Sequence, residues 1–329
     1  MKRFLIIGGL VLSSSLVPIS AIAATFSQIF VYGDSLSDLG RASTATNGAA
    51  PPYSALTNGK FSNGPLWIEY LATKLGIDPN PTNNPSFANT NFAVGGATTG
   101  INNTIVPFLG GVQNQVTNSL AQVTNNPGLD PAALYVVWAG ANDYLGGGIT
   151  DPTIPVTNLS TEITTLIGRG AKNILVPNLP DLGKLPVTLG TPVSADLNLL
   201  TQGHNAGLGL SLNSLSQINP SVKLSLLDVN SLFDRIVTDP SSSGFNNVTN
   251  GCLLVSCTNP DKYLFWDTIH PTTAGHKLIG DLAFETVSPT AVPEPTISLG
   301  YIVALGFGIA IKCKLRSAKL KDKELAAVV

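Results

Sequence analysis

Three short runs of apolar residues constrain the fold of this chain more than any other feature. Each run has the length of a buried strand and ends abruptly at a turn-forming segment, and the runs cover residues 29–32, 134–138 and 174–176. Strands that are apolar on both faces belong to a sheet that is covered on both sides, which is typical of parallel sheets. Stretches with helical periodicity lie between the runs. This alternation predicts an α/β fold with a mostly parallel sheet and helices on both faces.

The same patterns predict the remaining elements of the region. We expect further strands at residues 91–94 and 222–227. Helices are predicted at residues 67–75, 105–124, 156–169, 195–218, 231–237 and 272–287. Residues 41–64 have no periodic apolar face and are predicted to form a loop beside the site. Because no charged linker or change of composition divides the region, we expect one domain over residues 25–291.

The first apolar run delivers a serine to the edge of the predicted sheet. Ser35 follows Gly33 and Asp34, and the chain becomes polar immediately afterwards. The carboxyl ends of parallel strands are where sites are built in open α/β sheets. A serine in this position can act as a nucleophile only with a base and with donors that stabilise the oxyanion. Because Gly-Asp-Ser also occurs in ordinary turns, Ser35 alone does not identify an enzyme.

His270 is the strongest candidate for that base among the three histidines of the chain. Asp267 lies three residues before it, so its carboxylate can accept a hydrogen bond from Nδ1–H and leave Nε2 free to take a proton. The alternative is structural, with Asp267 capping the following helix and His270 packing beneath it. We interpret His204 and His276, which lie in predicted helices, as structural.

Two other predicted strand ends offer donors to an oxyanion. Gly96 ends the strand predicted at 91–94, where a backbone N–H without a side chain can approach a substrate closely. Asn142 follows the strand at 134–138, and its side-chain amide can also donate. Each residue alone is more simply explained as part of a turn. Their joint occurrence with Ser35 and His270 at four predicted strand ends indicates one site.

These blocks, in this order, resemble the SGNH or GDSL hydrolase family. The matching segments are residues 33–38, 91–97, 140–143 and 267–271. Residues 61–67, Phe-Ser-Asn-Gly-Pro-Leu-Trp, are similar to the branch that contains plant-type lipases, bacterial autotransporter esterases and haemolysin-like acyltransferases. Arg41 departs from that branch, in which asparagine is frequent at this point.

The resemblance implies a three-layer sandwich around a flavodoxin-like sheet, and a carboxylic ester hydrolase of the esterase or lipase type. It implies Ser35 as nucleophile, His270 as base and Asp267 as the residue that orients the base. The oxyanion hole would consist of the Ser35 and Gly96 N–H groups and the Asn142 amide. The substrate would be a lipid or short acyl ester, and no metal or organic cofactor would be required. Acyl transfer to an alcohol, or a non-catalytic surface or matrix binding protein on the same fold, are the alternatives.

The first 24 residues have the pattern of a secretory signal peptide. Lys2 and Arg3 precede a long apolar run, and the small residues around 21–23 offer a cleavage site. We therefore expect export and removal of residues 1–24 by a signal peptidase. An uncleaved membrane anchor is the alternative.

Residues 292–329 resemble the bacterial PEP-CTERM sorting signal. A Pro-Glu-Pro motif at 293–295 precedes an apolar stretch at 297–311, and six basic residues follow the stretch. The resemblance implies transient membrane anchoring through 297–311 and processing by an exosortase-type enzyme. The mature protein would lie outside the cell, on its surface or in the periplasm. The stretch is shorter than the ~20 residues of a spanning helix. An ordinary single-helix tail anchor is the alternative to the sorting signal.

Charge and cysteines narrow the choice of partners and compartment. The chain holds 18 basic and 20 acidic residues, of which residues 1–24 and 297–329 together hold eight basic and two acidic, so the part between carries a net charge of −8. An acidic surface argues against nucleic acid as a partner. Cys252 and Cys257 lie five residues apart, and we expect them to form a disulfide in an exported protein. Cys313 has no obvious partner.

Overall fold

A four-stranded parallel sheet forms the centre of the computed structural model, which describes residues 26–80, 83–122 and 128–288. Its strands are β1 (Ile29–Gly33), β2 (Leu134–Trp138), β3 (Asn173–Pro177) and β4 (Lys223–Leu227). They are hydrogen-bonded in the order β1-β2-β3-β4, and every pairing is parallel. The sequence predicts all four strands, and the predicted α/β fold with a mostly parallel sheet is confirmed.

The helices of eight or more residues overlap the helices that the periodicity predicts, and the shorter helices were not predicted. The helices of the described residues are α1 (Arg41–Ala45), α2 (Ser54–Thr57), α3 (Trp67–Lys74), α4 (Pro85–Thr90), α5 (Val112–Ala121), α6 (Ala141–Leu145), α7 (Thr153–Gly168), α8 (Ser194–Ile218), α9 (Val229–Thr238) and α10 (Thr273–Val287). Short 3-10 turns cover Pro107–Leu109, Leu182–Lys184, Pro240–Ser243 and Pro260–Lys262.

Alternate side chains of the sheet enter two separate cores. Ile29 and Val31 of β1 belong to a core with α3, α9 and α10, whereas Tyr32 of the same strand belongs to a core with α5, α7 and α8. In β2, Val136 and Val137 divide between the cores in the same way. Because successive side chains of a strand point to opposite faces, helices cover both faces of the sheet. The architecture is the expected three-layer sandwich.

The strand predicted at residues 91–94 is reduced to a single bridge. Asn91 pairs in parallel with Val31, and the N–H groups of Phe92 and Val94 donate to the carbonyls of Val31 and Gly33 over 2.7 and 3.0 Å. The Asn91 side chain accepts from the N–H of Ala93 over 3.0 Å, which bends the chain and prevents a regular ladder. The segment still lies along the free edge of β1. If residues 91–94 are counted as an edge strand beside β1, the order of strands in the sheet is the flavodoxin-like order.

The prediction of a helix at 105–124 is wrong for residues 105–111. Pro107 begins a 3-10 turn, and Gly110 then takes a φ of +68° that helices do not use. A Cβ on Gly111 would meet the carbonyl oxygens of Gly100 and Thr98, so this backbone is packed against a neighbouring turn. The regular helix α5 therefore begins only at Val112. Apolar periodicity across 105–111 comes from a packed loop.

The prediction of a structureless loop at 41–64 is also wrong, because α1 and α2 lie within it. The buried Asp38 carboxylate accepts hydrogen bonds from the N–H groups of Gly40, Arg41 and Ala42 over 2.5–3.0 Å. The N–H groups at the start of a helix have no partner within the helix, and a carboxylate that accepts from them stabilises the helix. The side chain that starts the helix lies outside the segment whose composition suggests a loop.

The sequence patterns did not predict a second, two-stranded sheet. It pairs β5 (Asn247–Gly251) with β6 (Tyr263–Phe265). The chain then makes a turn that is closed by a hydrogen bond from the N–H of Trp266 to the carbonyl of His270 over 2.8 Å. His270 therefore follows a strand of this small sheet and not a strand of the central sheet.

The predicted signal peptide at 1–24 and sorting segment at 292–329, including the anchor at 297–311 and Cys313, lie outside the described residues. Among the residues that are described, no helix combines the length and apolar character needed to cross a membrane.

Candidate active site

Ser35 lies in a tight turn at the carboxyl end of β1. The Asp34 side chain accepts from the N–H of Leu36 over 3.0 Å, and the Asp34 carbonyl accepts from the N–H of Ser37 over 3.1 Å. A Cβ on Gly33 would collide with the Trp138 carbonyl of β2, so glycine is needed where the strands approach. These contacts hold Ser35 at the sheet edge, where it is 7% exposed.

The structure brings Ser35, His270 and Asp267 into one chain of hydrogen bonds. The His270 Nε2 lies 2.8 Å from the Ser35 Oγ, and the His270 Nδ1 lies 2.7 Å from Asp267 Oδ2. The other carboxylate oxygen, Oδ1, accepts from the N–H groups of Ile269 and His270 over 2.8 and 2.7 Å. With Nδ1–H donating to Asp267, the lone pair of Nε2 faces the serine hydroxyl. The arrangement can remove a proton from Ser35.

Asp267 is held in its ionised form. Burial alone would raise the pKa of this carboxyl, but the charge of His270 and hydrogen bonds from His270 and Tyr53 hold the pKa well below its ordinary value. An ionised carboxylate fixes the imidazole tautomer and stabilises the imidazolium that forms when His270 takes a proton.

Tyr53 is a contact of the site that sequence reasoning missed. Its hydroxyl donates to Asp267 Oδ2 over 2.5 Å, and its ring meets Trp266 edge-on at 6.1 Å between centroids. Burial and the Asp267 charge raise the pKa of Tyr53 above its usual value, so it stays a donor at neutral pH. Tyr53 and Asp267 are 214 residues apart and share no motif. No sequence signal could have paired them.

The Phe61–Trp67 motif holds the histidine turn from the opposite side. Ser62 Oγ donates to the Pro271 carbonyl over 2.9 Å, and Asn63 Oδ1 accepts from the Thr273 N–H over 2.8 Å. The Phe61 ring lies 5.0 Å from the imidazole of His270, measured between centroids. The motif therefore positions His270 through contacts on both sides of it.

The predicted oxyanion donors lie in two turns near the serine. Asn142 lines the same pocket as Ser35 and His270, and its amide donates one hydrogen to the Ala97 carbonyl over 3.1 Å. Gly96 has a φ of +82° and does not line that pocket, although its neighbour Ile105 does. Within residues 26–80, 83–122 and 128–288, the N–H groups of Ser35 and Gly96 have no hydrogen-bond partner. Three N–H groups are thus available to an oxyanion.

The other two histidines are buried away from this relay. A hydrogen bond of 2.9 Å joins His204 Nδ1 to the Tyr144 hydroxyl. Burial lowers the pKa of His204 to about 4. Burial, with smaller effects of His270 and Lys60, lowers the pKa of His276 to about 3. Both stay neutral at pH 7, in agreement with a structural role. No group of three His, Cys, Asp or Glu side chains in the described part of the chain could hold a metal ion.

A disulfide loop supports the turn that carries Asp267. Cys252 and Cys257 are bonded to each other, and the N–H groups of Cys252 and Leu253 donate to the carbonyls of Phe265 and Trp266 over 3.0 and 2.8 Å. A Cβ on Gly251 would collide with the Asp267 carbonyl. The loop therefore lies directly against the backbone of the candidate catalytic aspartate.

Comparison with known proteins agrees with this geometry. A family model described as GDSL-like lipase/acylhydrolase matches residues 29–283. A phosphatidylcholine-sterol acyltransferase of Aeromonas hydrophila is 28% identical over 78% of this chain and 89% of its own length. A GDSL esterase/lipase of Arabidopsis thaliana is 27% identical over 82% of this chain and 86% of its own length.

Among solved structures, an acetylxylan esterase of Geobacillus stearothermophilus aligns with a TM-score of 0.44 and 12% identity, over 82% of this chain and 96% of that one. The family model covers well over half of the 329 residues. This protein therefore belongs to the GDSL-like lipase/acylhydrolase family and is a carboxylic ester hydrolase.

Proposed function

We propose that the protein cleaves carboxylic esters through an acyl-enzyme formed on Ser35. The observation that supports this proposal is the continuous relay from the Ser35 hydroxyl to His270 and Asp267, with donor–acceptor distances of 2.8 and 2.7 Å. A hydroxyl is a weak nucleophile until a base takes its proton. The relay places that base within hydrogen-bonding distance, and the buried carboxylate stabilises the charge that the base acquires.

The reaction proceeds in two halves. His270 Nε2 takes the proton of Ser35 as Oγ attacks the ester carbonyl carbon, and it then protonates the leaving alcohol. Water, activated by the same imidazole, attacks the acyl-enzyme and releases the acid. The N–H groups of Ser35 and Gly96 and the free hydrogen of the Asn142 amide stabilise the oxyanion in both halves.

The first test compares the full chain with its Ser35→Ala variant on aryl esters from acetyl to palmitoyl. We expect the variant to lose at least about 10^4-fold in kcat and to lose labelling by a fluorophosphonate, while keeping its thermal transition. Ser241→Ala, at an exposed serine, is the control and should retain both. Absence of hydrolysis and of labelling in the unmodified protein would refute the hydrolase and favour a non-catalytic binding protein.

Acyl transfer is the second candidate, because the 28% identical relative from Aeromonas hydrophila is named as an acyltransferase. The same acyl-enzyme would be attacked by an acceptor alcohol in place of water. Product analysis with a sterol or long-chain alcohol added to the ester distinguishes the two activities. A new ester that forms faster than free acid would assign the protein to transfer.

We also infer that the protein is exported and belongs to the branch of plant-type lipases and haemolysin-like acyltransferases. The patterns of residues 1–24 and 292–329 and the Phe61–Trp67 motif support this inference, and a disulfide between Cys252 and Cys257 suits an oxidising compartment. Signal peptidase and an exosortase-type enzyme would process the two ends. Mass spectrometry of the protein from its native cells should find termini near residues 24 and 292 and place it outside the cytoplasm. Intact termini on a cytoplasmic protein would refute export.

A further inference from the structure

A slot extends from Ser35 across the carboxyl edge of the central sheet. Beyond the serine, its wall is formed in succession by Trp138 at the end of β2, Leu179 after β3, and Val229 after β4. About 80 Å³ of the space along this wall is open to the centre of a water-sized molecule. Three strand spacings of ~4.8 Å make the edge from β1 to β4 roughly 14 Å long. The wall of the slot thus leads away from the nucleophile along the strand ends.

Polar and apolar groups are separated along this slot. The polar side chains of its wall, Asp34, Ser35, Asn142 and His270, all belong to the catalytic end. The rest of the wall is apolar. Its buried members include Trp138, Leu179, Leu182, Leu185, Val229 and Phe233, each between 0 and 6% exposed, whereas Ile105 is 44% exposed. A ligand that enters beyond the serine meets side chains that favour hydrocarbon and offer few partners to hydroxyl groups.

This separation distinguishes the two classes of ester that the proposed reaction could use. An acetyl group would end close to Ser35 and would leave the apolar slot empty. A longer acyl chain would remove both its own surface and the slot wall from water, and each buried methylene is worth about 0.8 kcal/mol, or about fourfold in kcat/KM. The wall therefore adds transition-state binding only for esters with a hydrocarbon chain that extends along it.

We propose that the slot binds the acyl chain, and that the substrates of this protein are esters of medium- to long-chain fatty acids. The inference rests on the proposed acyl-enzyme at Ser35. Val229 and Phe233, on α9 at the far side of the sheet, then determine which chain lengths fit. Acetylated polysaccharides are excluded as preferred substrates.

The test compares two matched ester series on the full chain. In the first, the acyl group lengthens from acetyl to palmitoyl on a constant alcohol; in the second, the alcohol lengthens from methyl to hexadecyl on constant acetate. We expect kcat/KM to rise at least about tenfold from acetyl to octanoyl in the acyl series only. A preference for acetyl, or an equal rise in the alcohol series, would overturn the inference while leaving the serine mechanism intact.

Variants of the slot give a second, independent measurement. Val229→Phe narrows the slot, so the ratio of octanoyl to acetyl kcat/KM should fall at least about tenfold. Phe233→Ala should move the optimum to longer chains. Val193→Phe places the same bulk on a half-exposed residue before α8, and it should leave the ratio unchanged. Equal ratios in all four proteins would contradict the assignment.

Labelling of the unmodified protein covers the case in which a core variant fails to fold. Fluorophosphonates with methyl and octyl chains should label Ser35 at rates that differ at least about tenfold, in favour of octyl. Equal rates would overturn the inference. Absence of labelling by both probes and of hydrolysis of every ester would refute the proposed function itself, so the two failures are distinguishable.

Discussion

The two oxygens of the Asp267 carboxylate receive four hydrogen bonds and have different functions. Oδ1 accepts from two backbone N–H groups of its own turn, which makes it the anchored oxygen. Oδ2 is shared by the imidazole of His270 and the hydroxyl of Tyr53. Because Tyr53 and His270 draw on the same oxygen, the tyrosine affects how strongly Asp267 stabilises the imidazolium.

We expect Tyr53→Phe to lower kcat several-fold with little change in KM, because Asp267 loses a donor to Oδ2 and holds the His270 imidazole less firmly. Tyr70→Phe removes a comparable hydroxyl, bonded to Thr273 Oγ1 at 2.9 Å, and serves as control. Steady-state kinetics on one ester measure both variants. An unchanged kcat in Tyr53→Phe would limit Tyr53 to packing.

Asn142→Ala should lower kcat with little change in KM. An oxyanion donor contributes only in the transition state, and its loss costs about 2.7–4 kcal/mol, or about 10²–10³ in kcat. The variant also loses the hydrogen bond to Ala97, so its thermal transition must be compared. Asn158→Ala, which loses an amide bonded to Thr99 Oγ1 at 3.0 Å, is a matched control and should keep kcat. A normal kcat in Asn142→Ala would remove the residue from the oxyanion hole.

Asp34 makes the stability of the fold depend on pH. Burial raises the pKa of Asp34 from 3.8 to about 7, so the folded state holds its proton more tightly than the unfolded state. Stability from this group is therefore full below about pH 4 and is lost as the pH rises to about 7. Asp34→Asn should raise Tm more at pH 8 than at pH 5. The exposed Asp261→Asn should show no such difference; an equal gain at both pH values for Asp34→Asn would refute the explanation.

At the scale of elements, the disulfide loop and the small sheet form the support of the histidine turn. Replacing both Cys252 and Cys257 by serine opens a loop whose ends are five positions apart in the chain, which should destabilise the protein by roughly 2 kcal/mol. Since the loop donates to the Phe265 and Trp266 carbonyls, we expect kcat to fall more than KM changes. Urea unfolding and steady-state kinetics measure the two effects, and reduction of the unmodified protein should reproduce them. Unchanged kinetics would show that the turn holds without the bond.

The central sheet and its helices could be predicted because their signals are local. A buried strand such as β2 is an unbroken apolar run, and a helix such as α8 repeats apolar residues along its own length. The start of α1 could not be read in this way, since Asp38, which caps it, lies before the segment. The small sheet could not be predicted either, because β5 is rich in asparagine and pairs with β6, which has only three residues.

The candidate site also contains residues that local sequence signals could predict and residues that they could not. Asp267 and His270 are three residues apart, so their pairing could be proposed from the sequence. Tyr53 and the slot wall could not, because they depend on how distant segments pack. Trp138, Leu179 and Val229 read as ordinary core residues, and only the order of the strands places them in one line with Ser35.

At the scale of the whole molecule, the two cores have unequal functions. The core that contains Val31 and Val136 also contains Trp138, Leu179 and Phe233, so the proposed acyl slot opens into the interior on that face of the sheet. The second core, with α5, α7 and α8, has no part in the wall of the slot. Substitutions in the second core should therefore change stability without changing chain-length preference.

The candidate nucleophile and base stand 235 residues apart in the chain, and this separation has a consequence in time. Ser35 is among the first residues of the domain to leave the ribosome, and His270 is among the last. A chain still being synthesised therefore carries its serine without a base. Ester cleavage through this relay can begin only when the whole domain has been made and has folded.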